Sequence, residues 1–264
     1  MKSRLLVAAV GVPLLLFVIL WAPFIVMELM LVLLSSIGAY ELMKCVNANV
    51  DWRRGIALGA GLIVLIPTII DEQLALPLAL FYTIAFFAIA VWKGGEVKWQ
   101  EVSTAIFAVV ALPYAFMAFL RLNAFGYHRA FLLLPLIFSF ASDTGAFFAG
   151  RAFGKHKLAP KVSPNKTVEG AVGGLVGNAV GGIVFALVMN LCMNHNIDYL
   201  TIVVLGVICS AVAQLGDLSF SLIKREFGIK DNGNLFLAHG GVLDRFDSVL
   251  FVAPVLAMVM PWLL

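Results

Sequence analysis

Long apolar stretches, separated by short polar or proline-marked breaks, fill almost the whole chain. A helix needs about 20 apolar residues to cross a hydrocarbon layer about 30 Å thick, and most of these stretches approach that length. We therefore predict an all-α polytopic membrane protein with about nine transmembrane helices. The first two spans are short and close together, so a re-entrant hairpin is the alternative to two full crossings there. The predicted spans are 5–20, 24–40, 56–70, 74–92, 102–120, 131–149, 171–192, 200–223 and 242–264.

The composition agrees with a chain that lies in lipid. Hydrophobic residues make up 62% of the 264 positions, charged residues only 12%, and the mean hydropathy is +1.02. Soluble domains are about half apolar and about one-quarter charged. The formal net charge of +3 is too small to suggest a nucleic-acid partner.

The basic residues predict the orientation of the chain. Sixteen of the 18 Lys and Arg residues lie at the N-terminus or in even-numbered loops, and only Arg121 and Arg129 lie in odd-numbered loops. The positive-inside rule therefore predicts a cytosolic N-terminus and an external C-terminus. The longest loops, 150–170 and 224–241, are then cytosolic. We predict a scaffold of N-terminal helices over 1–130, with possible lipid access, and a catalytic region over 131–264.

Four aspartates fall where acidic residues are costly, and such residues usually mark function. With a rise of 1.5 Å per residue, Asp143 lies about 18 Å into the sixth span and Asp217 about 26 Å into the eighth, both toward the cytosol. Asp244 and Asp247 open the ninth span with a spacing that predicts one helix face, shared with Ser248. Carboxylates from several helices suit Mg²⁺, and the absence of His and Cys from this group of aspartates argues against zinc. The alternative for Asp244 and Asp247 is simple stabilisation of a helix N-terminus.

Two cytosolic segments are candidates for binding anions. His239, Gly240 and Gly241 precede the ninth span, where free backbone N–H groups favour a phosphate, although a simple turn is the alternative. The loop 150–170 is rich in Lys and Arg, and its alternative interpretation is a basic segment attracted to anionic lipid. Lys166 and Glu169 suit that alternative less, because their opposite charges alternate at the start of the seventh span.

The polar residues of the C-terminal half form an extended pattern. It comprises Ser221, Lys224, Arg225, Lys230 and Asp231, followed by His239, Gly240, Gly241, Asp244, Arg245 and Asp247. This pattern resembles the phosphatidate cytidylyltransferase (CDP-diacylglycerol synthase) family, as do the segments 142–146 and 163–170. The family usually has Pro-Gly before the His-Gly-Gly triplet, where this chain has Leu237 and Ala238.

The resemblance implies that the phosphate of phosphatidate attacks the α-phosphorus of CTP and releases pyrophosphate, with Mg²⁺ bound by aspartates. It implies Asp217, Asp244 and Asp247 as metal ligands, with Asp143 a weaker candidate. Lys224 and Arg225 join these three aspartates as catalytic candidates. The implied substrate-binding residues are Lys166, Thr167, Glu169, Ser221, Lys230, Asp231, His239, Gly240, Gly241 and Arg245. A homodimer is also implied, and a second, monovalent cation is left open.

Two other functions compete with this interpretation. A CTP-dependent polyprenol or dolichol kinase has a similar C-terminal region but transfers the γ-phosphate. A secondary transporter also buries aspartates between helices, although its site usually lies near the membrane midplane. The pattern of the CDP-alcohol phosphatidyltransferases is absent from the sequence. The cytosolic depth of the aspartates and the adjoining basic loop favour the cytidylyltransferase.

Overall fold

The computed structural model describes residues 2–94, 96–124, 128–233 and 240–263, with side chains from residue 11 to residue 262 of these ranges. Within them the chain forms ten α-helices and one antiparallel pair of strands. The helices are α1 Lys2–Leu20, α2 Phe24–Cys45, α3 Val50–Ile69, α4 Ala75–Trp92, α5 Trp99–Ala124, α6 Leu134–Phe153, α7 Val168–Met193, α8 Tyr199–Glu226, α9 Leu243–Phe246 and α10 Val249–Leu263. The strands are β1 Lys157–Ala159 and β2 Ser163–Thr167.

Seven helical segments of the described chain are long and apolar enough to cross a membrane. They include α2 to α8, and shorter apolar helices cover Gly11–Leu20 and Val249–Trp262. Each of the nine predicted spans overlaps a helix. The chain is therefore an integral, largely helical membrane protein, as predicted, while the count of nine crossings and the orientation remain predictions.

The beginning of the last predicted span differs from expectation. The four-residue helix α9 ends at Phe246, and Asp247 and Ser248 form a turn before α10 begins. The backbone N–H of Ser248 donates to Oδ1 of Asp247 at 2.7 Å, and such local bonds compete with a continuous helix. The prediction that Asp244, Asp247 and Ser248 share one helix face is therefore wrong.

The hairpin of β1 and β2 was not predicted either. It lies in the basic segment between α6 and α7, and pairs Lys157 with Thr167 and Ala159 with Ser163. Its strands are too short, and too rich in charged residues and proline, to show an apolar alternation. The hairpin brings Lys166 to the start of α7.

The chain divides into two compact units. Unit 1 comprises Met1–Arg121 and Glu226–Phe246, and therefore joins α1 to α5 with the segment that contains α9. Helices α2 and α3 pack closely, and the hydroxyl of Ser35 donates to the carbonyl of Ala60 at 3.3 Å. Small residues at this contact allow the two backbones to approach.

Unit 2 comprises Leu122–Arg225 and Asp247–Leu264, and contains α6, the hairpin, α7, α8 and α10. Its closest helix pair is α6 and α7, where Gly145 faces the backbone of Gly173 and Gly177 so tightly that a Cβ on Gly145 would overlap the carbonyl oxygen of Gly173. The side-chain amide of Asn178 donates to the carbonyl of Gly206 at 3.1 Å and ties α7 to α8. These three helices form a closely packed frame.

Candidate active site

Unit 2 contains a cavity of about 510 Å³ that is lined by α6, the hairpin, α7 and α8. Most of the surface that lines the cavity is apolar, but seven charged or polar side chains of these elements also line it. They are Asp143, Arg151, Asn165, Lys166, Thr167, Gln214 and Asp217. Four residues that the sequence predicted, Asp143, Lys166, Thr167 and Asp217, thus surround one space.

An ion pair crosses the wall of this cavity. The ammonium group of Lys166 on β2 contacts Oδ2 of Asp217 on α8, and each side chain keeps about a quarter of its surface exposed. The hydroxyl of Ser221, one turn along α8, lies 3.4 Å from Oδ1 of Asp217. The predicted residues Lys166, Asp217 and Ser221 are therefore neighbours, and the ammonium group offsets a negative charge at the wall.

The hairpin is fixed to the start of α7 by side-chain hydrogen bonds. Thr167 caps α7, and its hydroxyl accepts the N–H of Gly170 at 3.1 Å. Glu169 accepts the backbone N–H of Lys155 at 3.0 Å and that of His156 at 3.2 Å, and its Oε1 lies 2.6 Å from Nδ1 of His156. Glu169 thus holds the base of the hairpin, and its predicted contact with substrate stays a prediction.

A layer of polar side chains joins the three helices of the frame. The hydroxyls of Ser142 on α6 and Ser210 on α8 are 2.8 Å apart. Nε2 of Gln214 donates to the carbonyl of Ala171 at 3.0 Å and to Ser210 at 3.2 Å. Gln214 was not predicted, although a glutamine three residues before Asp217 in an apolar helix is the signal that identifies it.

Asp247 lies in the turn before α10, outside the helices. A Cβ on Gly216 of α8 would stand only 2.8 Å from the backbone carbonyl oxygen of Asp247, so this turn packs against α8 directly beside Asp217. Asp143 and Asp217 line the same cavity. Asp143, Asp217 and Asp247 therefore belong to one acidic group in unit 2, and Lys224 lies two turns beyond Asp217 on the same face of α8.

The acidic group provides the oxygen donors that Mg²⁺ prefers. In the described ranges, no three His, Cys, Asp or Glu side chains are close enough to hold an ion as they stand. Mg²⁺ usually takes only one or two carboxylates and completes its shell with waters and substrate phosphates. One or two carboxylates of the group in unit 2 would therefore be enough for a magnesium ion that is shared with a phosphorylated substrate, and the magnesium ion itself stays a prediction.

The other predicted metal ligand, Asp244, lies in unit 1. Its Oδ2 accepts the backbone N–H groups of Asn232 at 2.8 Å and Gly241 at 3.0 Å, and its Oδ1 accepts the amide of Asn232 at 3.1 Å. The N–H of Gly241, which was predicted to help seat a phosphate, is thus bonded to a carboxylate of the chain. The ligand role of Asp244 stays a prediction.

The next two backbone N–H groups also bind a carboxylate. Val242 donates to Oε1 of Glu41 at 3.0 Å, and Leu243 donates to Oε2 at 3.1 Å. Glu41 belongs to α2, and only 5% of it is exposed. Glu41 was not predicted either, although an acidic residue in an apolar span satisfies the criterion that selected the four aspartates.

Of the remaining predicted residues, Gly240 is buried in unit 1, and the others are exposed or lie outside the described residues. Lys230, Asp231 and Arg245 are exposed in unit 1. Arg225 is exposed in unit 2, and its Nε lies 3.4 Å from the carbonyl oxygen of Val162. The predicted residue His239, like the substituted pair Leu237 and Ala238, falls outside the described residues.

Known proteins resemble this chain over nearly its whole length. A phosphatidate cytidylyltransferase of Bacillus subtilis is 30% identical, with 97% of this chain and 96% of the relative covered. One from Staphylococcus saprophyticus is 33% identical, with 97% of each covered. One from Haemophilus influenzae is 46% identical over 129 residues, which are 48% of this chain and 45% of the relative. The family model described as the cytidylyltransferase family matches residues 2–263, and the chain therefore belongs to that family.

Proposed function

We propose that this protein is a phosphatidate cytidylyltransferase, which joins CTP to phosphatidate and releases pyrophosphate. Two relatives of that name align with 97% of the chain. The observation that carries the proposal is the cavity of unit 2, where the Lys166 and Asp217 pair shares one lining with Asp143 and with the apolar side chains of Phe147 and Leu158. A cavity of this character suits a phosphate that is attached to a lipid.

The reaction requires two polyanions to meet. A phosphomonoester carries a charge of about −1.5 to −2 at neutral pH, so the attacking oxygen is already ionised and needs no strong base. This oxygen forms a bond to the α-phosphorus of CTP, and the bond from that phosphorus to the bridging oxygen breaks as pyrophosphate leaves. Catalysis then depends on orientation and on compensation of negative charge.

The chain supplies this charge compensation from several elements. Lys166 stands at the cavity wall, Arg151 lines the same space, and Lys224 lies two turns beyond Asp217 on the same face of α8. We assign Lys166 and Arg151 to a phosphate group inside the cavity. When the phosphate arrives, the ammonium group of Lys166 turns from Asp217 toward it, which leaves Asp217 available as an oxygen donor.

We assign Asp217, with Asp143 and Asp247, to hold Mg²⁺, and keep Asp244 as the fourth predicted ligand. When bound, Mg²⁺ would neutralise phosphate charge and increase the electrophilicity of the α-phosphorus. The carboxylates themselves keep the ion beside the cavity. No role is assigned to a second, monovalent cation.

We further propose the membrane in which the protein lies and the side that its site faces. Sixteen of 18 basic residues fall on the side predicted to be cytosolic, and the hairpin and the α8 end with Lys224 are on that side. We therefore place the protein in a bacterial inner membrane with its site toward the cytosol, where CTP is available. The homodimer implied by the family resemblance remains part of the proposal, and the mass of the purified protein in detergent tests it.

A nucleotide panel tests the reaction. The purified protein is given phosphatidate, Mg²⁺ and one labelled nucleotide at a time, and the products are separated. We expect CTP to yield CDP-diacylglycerol and pyrophosphate in equal amounts. Release of CDP with transfer of the γ-phosphate to a polyprenol would instead identify a kinase, and nucleotide-independent solute uptake into vesicles would identify a transporter.

A further inference from the structure

A buried carboxylate of α2 binds the segment that leads to Asp244 and Arg245. Both oxygens of Glu41 are used, one by the N–H of Val242 and the other by the N–H of Leu243. All of these residues belong to unit 1. A carboxylate that accepts two backbone N–H groups fixes both the position and the direction of that backbone.

The space around Glu41 is closed by glycines. A Cβ on Gly233 would overlap Oε1 of Glu41, and a Cβ on Gly241 would overlap both carboxylate oxygens. Gly38 of α2 lies against Leu243, and a Cβ on Gly38 would stand 3.1 Å from the leucine side chain. The 241–243 segment therefore packs against α2, through the side chain of Glu41 on one side and that of Leu243 on the other.

A second set of bonds starts one turn further along α2. The thiol of Cys45 lies 3.3 Å from Oδ1 of Asn232, and Asn232 donates both its backbone N–H and its side-chain amide to Asp244. Asn232 is only 3% exposed. Glu41 and Cys45 thus place two parts of the same segment from adjacent turns of one helix.

We propose that Glu41 is a positioning residue for the transfer reaction: it does not touch substrate, but its two backbone bonds set the place of Asp244 and Arg245. This inference rests on the proposed function. A carboxylate that served only to stabilise the fold would not need to bind the two backbone N–H groups that directly precede Asp244 and Arg245. Catalytic groups misplaced by about 1 Å lose about 100-fold in rate.

The decisive variant is Glu41→Gln, with Glu28→Gln as its matched control. Both glutamates lie in α2 and are similarly buried, with 5% and 6% exposed. Glutamine keeps the size of the side chain, but its NH₂ group would face a backbone N–H and lose one of the two bonds. We expect kcat for pyrophosphate release to fall at least tenfold in Glu41→Gln. The KM values for CTP and phosphatidate should stay within threefold of those of the original protein. The melting temperature should be close to that of the Glu28→Gln control.

Hydrogen exchange gives a readout that does not depend on activity. We expect the peptide covering 240–246 to exchange faster in Glu41→Gln than in Glu28→Gln, with other peptides unchanged. A second perturbation comes from the opposite side: Gly233→Ala should displace Glu41 and lower kcat, whereas Gly55→Ala, which meets open space, should not.

The outcomes separate the two hypotheses. If the unmodified protein makes no CDP-diacylglycerol, the proposed function fails, whereas the exchange result still tests the link between Glu41 and the segment. Equal kcat in Glu41→Gln and Glu28→Gln would overturn the positioning role. Loss of folded protein in both Glu41→Gln and Gly233→Ala would also overturn it, because the carboxylate would then support the fold instead of the site.

Discussion

Lys166 on β2 and Asp217 on α8 form an ion pair at the wall of the cavity in unit 2. The hairpin residue and the helix residue are 51 positions apart in the sequence, so the fold brings them together and the local sequence does not. An anion that enters the cavity competes with Asp217 for the ammonium group. The charge of Asp217 is therefore offset by Lys166 only while no anion in the cavity binds the ammonium group.

Replacement of Lys166 tests this link. Lys166→Gln removes the positive charge that we assign to a substrate phosphate, and a hydrogen bond between charged groups contributes about 1.5–3 kcal/mol. We expect kcat/KM for pyrophosphate release to fall about 10- to 100-fold, with partial recovery in Lys166→Arg. Lys161→Gln, at an exposed position between the two strands, is the control. Unchanged turnover in Lys166→Gln would remove Lys166 from the site.

The carboxylates of unit 2 are tested as a set. Asp217→Asn should lower turnover at least 100-fold and increase the Mg²⁺ concentration needed for half-maximal rate, because an amide oxygen carries no net charge for the ion. Asp143→Asn should act in the same direction but less strongly. Asp71→Asn, exposed before α4, should behave as the unmodified protein. A Mg²⁺ dependence that none of the variants shifts would contradict the assigned ligands.

Ligand binding to the folded protein offers a test that requires no turnover. A ligand that binds only the folded state stabilises it, and the effect grows with ligand concentration. Since Mg²⁺ should share its shell with substrate phosphates, we expect Mg²⁺ and CTP together to raise the melting temperature more than the sum of their separate effects. Chelation with EDTA should abolish this excess and stop turnover, and added Mg²⁺ should restore both. Purely additive shifts would mean that the two bind independently.

The contact of α6 with α7 predicts a stability effect. Gly145→Ala would drive a methyl group into the backbone of Gly173, and such overpacking costs about 1–3 kcal/mol. We expect a lower melting temperature in detergent. Gly11→Ala, whose added methyl group would meet no neighbouring part of the described chain within 4 Å, should show no decrease. An equal melting temperature for both variants would mean that the two helices separate easily at this point.

The sequence predicted the helices well because hydrocarbon thickness imposes a nearly uniform length on apolar segments. It predicted Asp143, Lys166, Thr167 and Asp217 as site residues, and the structure brings these four around one cavity. The turn at Asp247 was not predicted, because its cause is a local bond from the N–H of Ser248 and not a change in hydropathy.

The bonds of Glu41 could not be read from the sequence at all. The residue and its partner Val242 are 201 positions apart, and no periodic pattern connects them. The same is true of Asn232 and Cys45, which are 187 positions apart. Hydropathy shows that such polar groups are costly in an apolar surround, but only the folded chain shows which partner offsets that cost.

The close approach of α6 and α7 also limits how the cavity can change its shape. Where backbone faces backbone, no side chain can rotate aside to let one helix slip past the other, so Asp143 on α6 stays at a set distance from the start of α7. Because α8 is also bonded to α7, through Asn178 and Gly206, any widening that admits a two-tailed lipid falls to the hairpin. The contact of Lys166 with Asp217 holds the hairpin to α8, so a headgroup that draws Lys166 away would weaken this attachment.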